Sequence, residues 1–186
     1  MKDVMIDFET FGNGKHACLC QIGAVYFDST TGELGAEYKA NIDAANHSKL
    51  GGDLDADTVY WWLAQSIEAR QSILQQPRKN VVDVMNELNQ FLSSATRVWS
   101  HATFDFVILM NTLKQLDIKP LFSYKAGLDI RTLTYLAGIT IDKTERTGVH
   151  HDGLEDAKHQ VKYCVEALNA VKGNKQVVSA ISRIIE

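Results

Sequence analysis

The sequence is short of proline and cysteine, and it has no low-complexity tract or internal repeat. It contains 2 prolines and 3 cysteines among 186 residues. Three cysteines cannot all pair, and none has Cys-x-x-Cys spacing, so reduced thiols and a cytoplasmic location are expected rather than disulfides or a zinc site. The length suits one domain with a substantial core, and we predict that residues 1–186 form a single domain.

Long apolar runs are also missing. No segment approaches the length needed to cross a membrane, so no membrane association is expected. The first three residues lead directly into a predicted strand, and we therefore expect no signal peptide.

The sequence also lacks an excess of positively charged residues. Lysine and arginine number 19 against 23 aspartates and glutamates, which gives a formal net charge of −4. Proteins that hold a long nucleic acid through many phosphate contacts are normally basic. The chain is therefore not expected to coat a polyanion along its length.

The first feature that is present is a pair of acids near the N-terminus, in the segment VMIDFET at residues 4–10. In a strand, Asp7 and Glu9 point to the same side. Two carboxylates on one face repel each other unless a cation lies between them, and Mg²⁺ and Mn²⁺ prefer oxygen ligands. The pair indicates a metal site, although one acid at a strand end and one loop cap would give the same pattern.

A third acid, Asp105, follows a predicted strand at residues 96–100. Residues 104–116 have apolar positions at helical spacing, which places Asp105 in the first turn of a helix. An acid in a first turn can simply complement the helix dipole. The end of a strand in an α/β sheet is also where catalytic groups commonly lie, so both interpretations remain open.

A fourth acid, Asp156, lies one turn into a long predicted helix with an apolar face. An unpaired carboxylate buried there would be costly, and a metal ion is a suitable partner. His151 would lie about 140° from Asp156 on a continuous helix, so we expect it in the preceding loop. From that loop it either bends back over the metal site or remains solvated.

The order of the predicted elements favours an α/β fold. The first three strands form an antiparallel meander, and a strongly amphipathic helix follows Asn80. A later helix runs from Asp129 to near Gly138. We predict a mixed five-stranded sheet flanked by helices on both faces, with strands at residues 4–10, 19–27, 34–42, 96–100 and 121–124.

Residues 43–80 are predicted to be a helical insertion between the third and fourth strands. Trp61 and Trp62 are adjacent there, so on a helix they diverge by about 100° and cannot both face one core. Either one ring is free to stack on a base, which contributes roughly 1–3 kcal/mol, or both pack within the domain. Residues 139–150 are predicted to be a loop that leads to His151 and can control access to a site.

Three segments together resemble the motifs of the DEDD superfamily of 3′-to-5′ exonucleases: DFET at 7–10, FD at 104–105 and H-x-x-x-x-D at 151–156. The resemblance extends over nearly the whole chain and implies a ribonuclease H-like fold. The histidine spacing implies the histidine branch (DEDDh), with His150 one residue out of register. With QIGAV at 21–25, the chain looks like small bacterial or phage exonucleases related to ribonuclease T and exodeoxyribonuclease VIII.

One departure from this family lies before the second motif. Many relatives carry asparagine shortly before the Phe-Asp pair, whereas this chain has His101-Ala102-Thr103. The contacts that the asparagine makes with substrate are therefore not transferred to this chain.

The resemblance implies an exonuclease with two divalent ions, Mg²⁺ or Mn²⁺, as cofactors. Asp7 would bridge the two ions, His151 would be the general base, and Glu9 would also meet the terminal 3′-hydroxyl. The implied metal ligands are Asp7, Glu9, Asp105 and Asp156. The predicted nucleotide contacts are Thr10, Trp61, Trp62 and Phe104.

Charge is consistent with this resemblance. The four acidic candidates account for the whole net charge of −4, and two divalent ions would add four positive charges at the scissile phosphate. This distribution of charge favours binding to the end of a single strand or to a 3′ overhang. The basic residues available for backbone phosphates are Arg70, Arg78, Lys79, Arg131 and Arg146.

Other functions remain open at this point. The chain could be a non-catalytic subunit that binds nucleic-acid ends, or a ribonuclease H-like endonuclease, which would not need a free 3′ end. No motif distinguishes DNA from RNA. An apolar helical stripe near the C-terminus could pack on its own domain or support a homodimer, and it consists of Val177, Val178, Ile181, Ile184 and Ile185.

Overall fold

The computed structural model describes residues 1–141, 146 and 148–173. The C-terminal stripe and most of the charged part of the predicted 139–150 loop lie outside these residues. Within them, the centre of the fold is a six-stranded sheet of order β4-β3-β2-β1-β5-β6. Its strands are β1 (Asp3–Thr10), β2 (Leu19–Phe27), β3 (Leu34–Ile42), β4 (Arg78–Lys79), β5 (Arg97–Ser100) and β6 (Gly127–Asp129).

The sheet is mixed, as the sequence predicts. β1, β2 and β3 form an antiparallel meander, whereas β5 runs parallel to β1 and β6 runs parallel to β5. The strand count of five is wrong by one, because the two residues of β4 add a short parallel strand beside β3. A two-residue strand has no periodicity that a sequence pattern can reveal.

The predicted strand at residues 121–124 is also wrong, and the edge strand lies a few residues later at β6. Phe122 is buried in the main core and packs edge-on to Phe106, while Tyr124–Ala126 form a 3₁₀ turn. Gly127 then allows close approach, since a Cβ there would lie 2.6 Å from the Phe106 ring. Phe122 therefore anchors a turn instead of pairing in the sheet.

Helices cover both faces of the sheet. Asn80 and Asp129 cap two of them through their side chains, and Gly138 ends the second of these in the left-handed conformation with φ 68°, as the sequence predicts. The helices are α1 (Ala44–Lys49), α2 (Ala56–Leu63), α3 (Ile67–Leu74), α4 (Val81–Phe91), α5 (Asp105–Gln115), α6 (Ile130–Ala137) and α7 (Gly153–Gly173).

The alternation of side chains along β1 builds a core on each face. Val4, Ile6 and Phe8 pack with α4 and α5, whereas Met5 packs with α6 and α7. Because side chains alternate along a strand, Asp7 and Glu9 continue the Met5 side and face α7. This alternation brings both acids to the edge where α7 begins.

The 43–80 insertion contributes α1, α2, α3 and β4. It has a small core of its own, in which Trp62, Ala69 and Ile73 pack against Cys20 of β2, with Phe11 beside them. The insertion therefore lies next to the end of β1 that carries Glu9. Among the described residues, no helix combines the length and the apolar character that crossing a membrane requires.

Candidate active site

Three carboxylates from distant parts of the chain meet at the end of β1. Asp7, Glu9 and Asp156 each offer an oxygen, and these oxygens lie within 4.8 Å of one another. A second group at the same spacing joins Asp7 to Asp105 and His101. All four acids are buried, and Asp7 belongs to both groups. The structure thus brings together the four predicted ligands, with Asp7 between the others.

Asp105 is held by backbone groups on both sides. Its Oδ1 accepts a hydrogen bond from the Phe8 amide and its Oδ2 accepts one from the His101 amide, each at 3.1 Å. The carboxylate therefore links the start of α5 to β1. Asp105 therefore does more than complement the helix dipole. It also holds α5 against β1, because Phe8 and Asp105 are 97 residues apart in sequence.

Asp156 is positioned by the close packing of α7 on the sheet. Gly23 and Gly153 are in backbone contact, and a Cβ at Gly23 would collide with the Gly153 carbonyl group. Asp152 caps the helix, since its Oδ1 accepts from the amides of Leu154 and Glu155 at 3.2 and 3.3 Å. Asp156 consequently lies one turn into α7 and faces β1.

A buried polar network fixes the beginning of α7, and the sequence interpretation missed it. The Oδ2 of Asp152 accepts hydrogen bonds from Lys39 and from the Ser72 hydroxyl. Gln21 donates to the same Ser72 hydroxyl at 3.0 Å and accepts from the Gly153 amide at 2.7 Å. The network ties the insertion, β2, β3 and α7 into one support for the carboxylates.

The electrostatics of the carboxylates favour a bound cation. Burial raises the pKa of Asp7 to about 6, against the opposing effects of Gln160 and Arg146. Burial, together with the charge of Asp7, also raises the pKa of Glu9 and of Asp105 well above the usual range. A divalent ion would remove this penalty, and oxygen donors with one imidazole suit such an ion. The residues present therefore fit a metal centre.

Arg146 supplies positive charge at the same place. Its guanidinium donates to the Oδ1 of Asp156, and its charge partly offsets the rise in the pKa of Asp7 and of Glu9 that burial causes. Burial in turn lowers the pKa of Arg146 itself. Binding of a divalent ion by Asp156 would compete with this ion pair.

Asp7 and Asp156 line a cavity of about 540 Å³. One wall is a stripe on α7 at positions i, i+3, i+4 and i+7, formed by Asp156, His159, Gln160 and Tyr163. Gln160 donates to Asp7 at 2.6 Å across 153 residues of sequence. This polar stripe was not singled out in the sequence, although its helical spacing is a readable signal.

His151 lies in the loop before α7, as predicted, with a left-handed φ of 63°. Its ring packs edge-on to Trp61 at 4.7 Å and to Trp62 at 5.9 Å between centroids. Burial and the charges of His150 and Arg146 lower its pKa to about 4. His150 is close by, with its ring 3.8 Å away, and both histidines have a nitrogen within 4.8 Å of an Asp156 oxygen.

The two tryptophans have different environments. Trp61 is 45% exposed, whereas Trp62 is 3% exposed and donates from Nε1 to the Thr10 carbonyl at 2.8 Å. Trp62 is thus a packing residue that supports the end of β1, and the prediction that its ring contacts a nucleotide does not fit this burial. Of the two tryptophans, only Trp61 has an exposed ring, and that ring lies beside His151.

The remaining predicted nucleotide contacts are less exposed than expected. Thr10 is buried, and its hydroxyl donates to the Gly12 carbonyl at 2.6 Å. Phe104 is partly buried and packs against the main core at the start of α5. Both residues adjoin the acidic cluster through their neighbours Glu9 and Asp105.

The basic residues named from the sequence separate into two groups. Arg131 and Arg146 line the cavity. In contrast, Arg78 and Lys79 form β4 at the far edge of the sheet, and Arg70 bonds the Leu63 carbonyl within the insertion. The positive charge at the site therefore comes from Arg131 on α6 and from Arg146, which precedes α7.

The fold and the site together define a class. A mixed sheet with carboxylates converging from its first strand, a following helix and the last described helix is a ribonuclease H-like exonuclease arrangement. The chain belongs to the 3′-5′ exoribonuclease Rv2179c-like domain family, which matches residues 2–168. The mixed α/β sheet and the 3′-to-5′ exonuclease assignment indicated by the sequence motifs are thereby confirmed.

Similar proteins include a phage exodeoxyribonuclease and solved exonuclease structures that contain a DNA oligonucleotide or a ribonucleotide. An exodeoxyribonuclease of Enterobacteria phage T4 is 26% identical over 134 residues, which cover 63% of this chain and 58% of that protein. E. coli exonuclease I in complex with a dT13 oligonucleotide has 16% identity and a TM-score of 0.62, covering 96% of this chain and 42% of that one. The chain thus spans less than two thirds of each.

A structure of similar size gives the same result for the fold. The nuclease domain of 3′hExo, described as a DEDDh family member bound to rAMP, has a TM-score of 0.55 at 12% identity. The match covers 90% of this chain and 91% of that domain. At such identities the structural likeness establishes the fold alone.

Proposed function

We propose that this chain hydrolyses the terminal phosphodiester bond at the 3′ end of DNA or RNA and releases nucleoside 5′-monophosphates. The proposed exonuclease unit comprises residues 1–186, with 43–80 as its insertion. The observation that carries the proposal is the buried cluster of Asp7, Glu9 and Asp156, with Asp105 joined to it through Asp7. Membership in an exoribonuclease family supports the direction of attack.

The carboxylates would hold two divalent ions, Mg²⁺ or Mn²⁺. Such ions, when bound, generate the nucleophile from water and stabilise the leaving oxygen. Asp7, which belongs to both groups of potential ligands, would be shared between the two ions. Glu9 and Asp156 complete one group, and Asp105 contributes to the other.

His151 would accept the proton of the attacking water. Its lowered pKa keeps the imidazole neutral at pH 7, so it can take a proton. The ring is wedged against Trp61 and Trp62, which restricts its motion. This assignment corresponds to the histidine branch that the sequence motif implies.

The end of β1 would select the terminus. Glu9 and Thr10, at the end of β1, would meet the 3′-hydroxyl, and Trp62 holds that strand by its bond to the Thr10 carbonyl. Trp61 would stack on a terminal base beside His151, and Phe104 would border the same nucleotide. A contact with the free 3′-hydroxyl imposes direction, because an internal phosphodiester has none to offer.

The proposed partners are single-stranded nucleic acid and 3′ overhangs, and the proposed location is the cytoplasm. Arg131 and Arg146 are placed to contact phosphates near the cut. The family description names RNA, whereas the phage T4 relative is named for DNA, so both are proposed as substrates. A homodimer also remains a proposal.

Digestion of end-labelled substrates tests this function. Single-stranded DNA, duplex DNA with a 3′ overhang and RNA of equal length should yield mononucleotides with Mg²⁺ or Mn²⁺, and none with a chelator. A 3′-phosphorylated copy of each should resist. Equal cleavage of the blocked copies would show an endonuclease, and tight binding without cleavage under any metal would show a non-catalytic end binder.

The tryptophan pair gives a separate prediction. Trp61→Ala should raise KM by about fivefold to 100-fold, the equivalent of one lost base stack, with little change in melting temperature. Trp62→Ala should instead destabilise the fold by about 3–5 kcal/mol, because it empties a buried site. Steady-state kinetics and thermal melts of both variants check this. Matching changes in KM and melting temperature for the two would rule out a stacking role for Trp61.

A further inference from the structure

His101 is a cavity residue whose position is set by its own main chain. It follows β5, and its carbonyl accepts from the amides of Phe104 and Asp105 at 2.7 and 3.0 Å. Its amide donates to the Asp105 carboxylate at 3.1 Å. The backbone at His101 is therefore tied to the start of α5, which leaves the imidazole to project into the cavity.

The imidazole lies near the Asp105 carboxylate but makes no direct hydrogen bond to it. Its Nδ1 is 4.0 Å from Oδ2 of Asp105, which is too long for a hydrogen bond. The side chain is 24% exposed and lines the cavity beside Asp7. A small bridging group fits between a nitrogen and an oxygen at this separation.

The separation suits a shared metal ion. One nitrogen of His101 and one oxygen each of Asp7 and Asp105 lie within 4.8 Å of one another. Two donors about 2.1 Å from the same octahedral ion are about 3 Å apart when adjacent and about 4.2 Å apart when opposite. The separation of 4.0 Å between His101 Nδ1 and Asp105 Oδ2 lies within this range.

We propose that His101 is a ligand of the second metal ion, together with Asp7 and Asp105, and that it gives the site a preference for Mn²⁺ over Mg²⁺. The proposal rests on the proposed exonuclease function and specifies the metal of its site. An imidazole nitrogen binds a transition-metal ion such as Mn²⁺ better than it binds Mg²⁺, whereas a site made only of oxygen donors suits both ions. The nitrogen donor would therefore discriminate between the two ions.

Mn²⁺ itself is the probe for the test. Electron spin-echo measurements on the Mn²⁺-loaded protein should show coupling to a histidine nitrogen, and labelling histidine with ¹⁵N should change that coupling. The His101→Asn and His101→Gln variants should lose it. His150 and His151 lie near Asp156, so a variant with both changed to alanine is the matched control and should keep it.

Binding and kinetics supply a second readout. His101→Asn should weaken Mn²⁺ binding by about tenfold or more while Mg²⁺ binding changes less than threefold, so the ratio of kcat/KM in Mn²⁺ to that in Mg²⁺ should fall. Circular dichroism melts establish that both variants fold. Loss of the coupling only in the double histidine control, or its persistence in both His101 variants, would overturn the proposal.

The exonuclease function and the metal-binding role of His101 can be tested separately. A wild-type protein that degrades nucleic acid but shows no nitrogen coupling would remove the role of His101 and leave the exonuclease function intact. A wild-type protein that shows the coupling but degrades nothing in either metal would overturn the exonuclease function, and the proposed metal preference of that reaction with it.

Discussion

Asp7→Asn is expected to reduce hydrolysis by at least roughly 10³-fold while the protein remains folded. Asp7 is the carboxylate shared by both ligand groups, and asparagine keeps its shape without its charge. The asparagine oxygen can still accept the hydrogen bond that Gln160 donates. Single-turnover assays at saturating Mg²⁺ measure the loss, and turnover near the wild-type level would refute the two-metal assignment.

The same substitution should stabilise the metal-free protein at pH 7. Burial raises the pKa of Asp7 to about 6, so the folded state disfavours its charged form. For an acid with a raised pKa, stability is lost as pH increases from the unfolded value near 4 through the folded value. The neutral variant avoids this loss, which is about 1–3 kcal/mol. Thermal melts with and without Mg²⁺ check it, since Mg²⁺ should stabilise the wild type more than the variant.

His151→Ala should lower kcat by about 10²–10⁴-fold and leave metal affinity nearly unchanged, because His151 is the general base and not a metal ligand in the proposed mechanism. His150→Ala should have a much smaller effect. The rings of His150 and His151 lie 3.8 Å apart, and His150 lines the cavity, so the comparison is a close one. Kinetics and isothermal titration with Mn²⁺ for both variants measure the difference.

The pH dependence distinguishes the two histidines further. Burial lowers the pKa of His151 to about 4, so the wild-type rate should rise with pH at acidic values, below the ordinary histidine pKa of 6.5, and then level off. His151→Ala should lose this acidic limb, and His150→Ala should keep it. If His150→Ala showed the greater defect, the register of the third motif would be wrong.

Local sequence periodicity was sufficient to predict much of the fold. The bounds of β2 and β3, the helix after Asn80 and the helix between Asp129 and Gly138 agree with the sequence prediction, because alternation, helical spacing and capping residues act over short distances. The errors fall on the short strands β4 and β6. There, pairing depends on a neighbouring strand or a nearby ring, as with Gly127 and Phe106.

Sequence patterns were enough to predict that Asp7 and Glu9 share one face, that Asp105 and Asp156 lie in the first turns of helices, and that His151 precedes the second of these. The groups that meet these residues depend on tertiary packing. Gln160 reaches Asp7 across 153 residues, Arg146 pairs with Asp156, and Trp61 packs against His151. The position of His101 beside Asp7 and Asp105 likewise depends on β5 pairing with β1. Periodicity fixes which way a side chain points along its own element, whereas the neighbours that it meets depend on how separate elements pack.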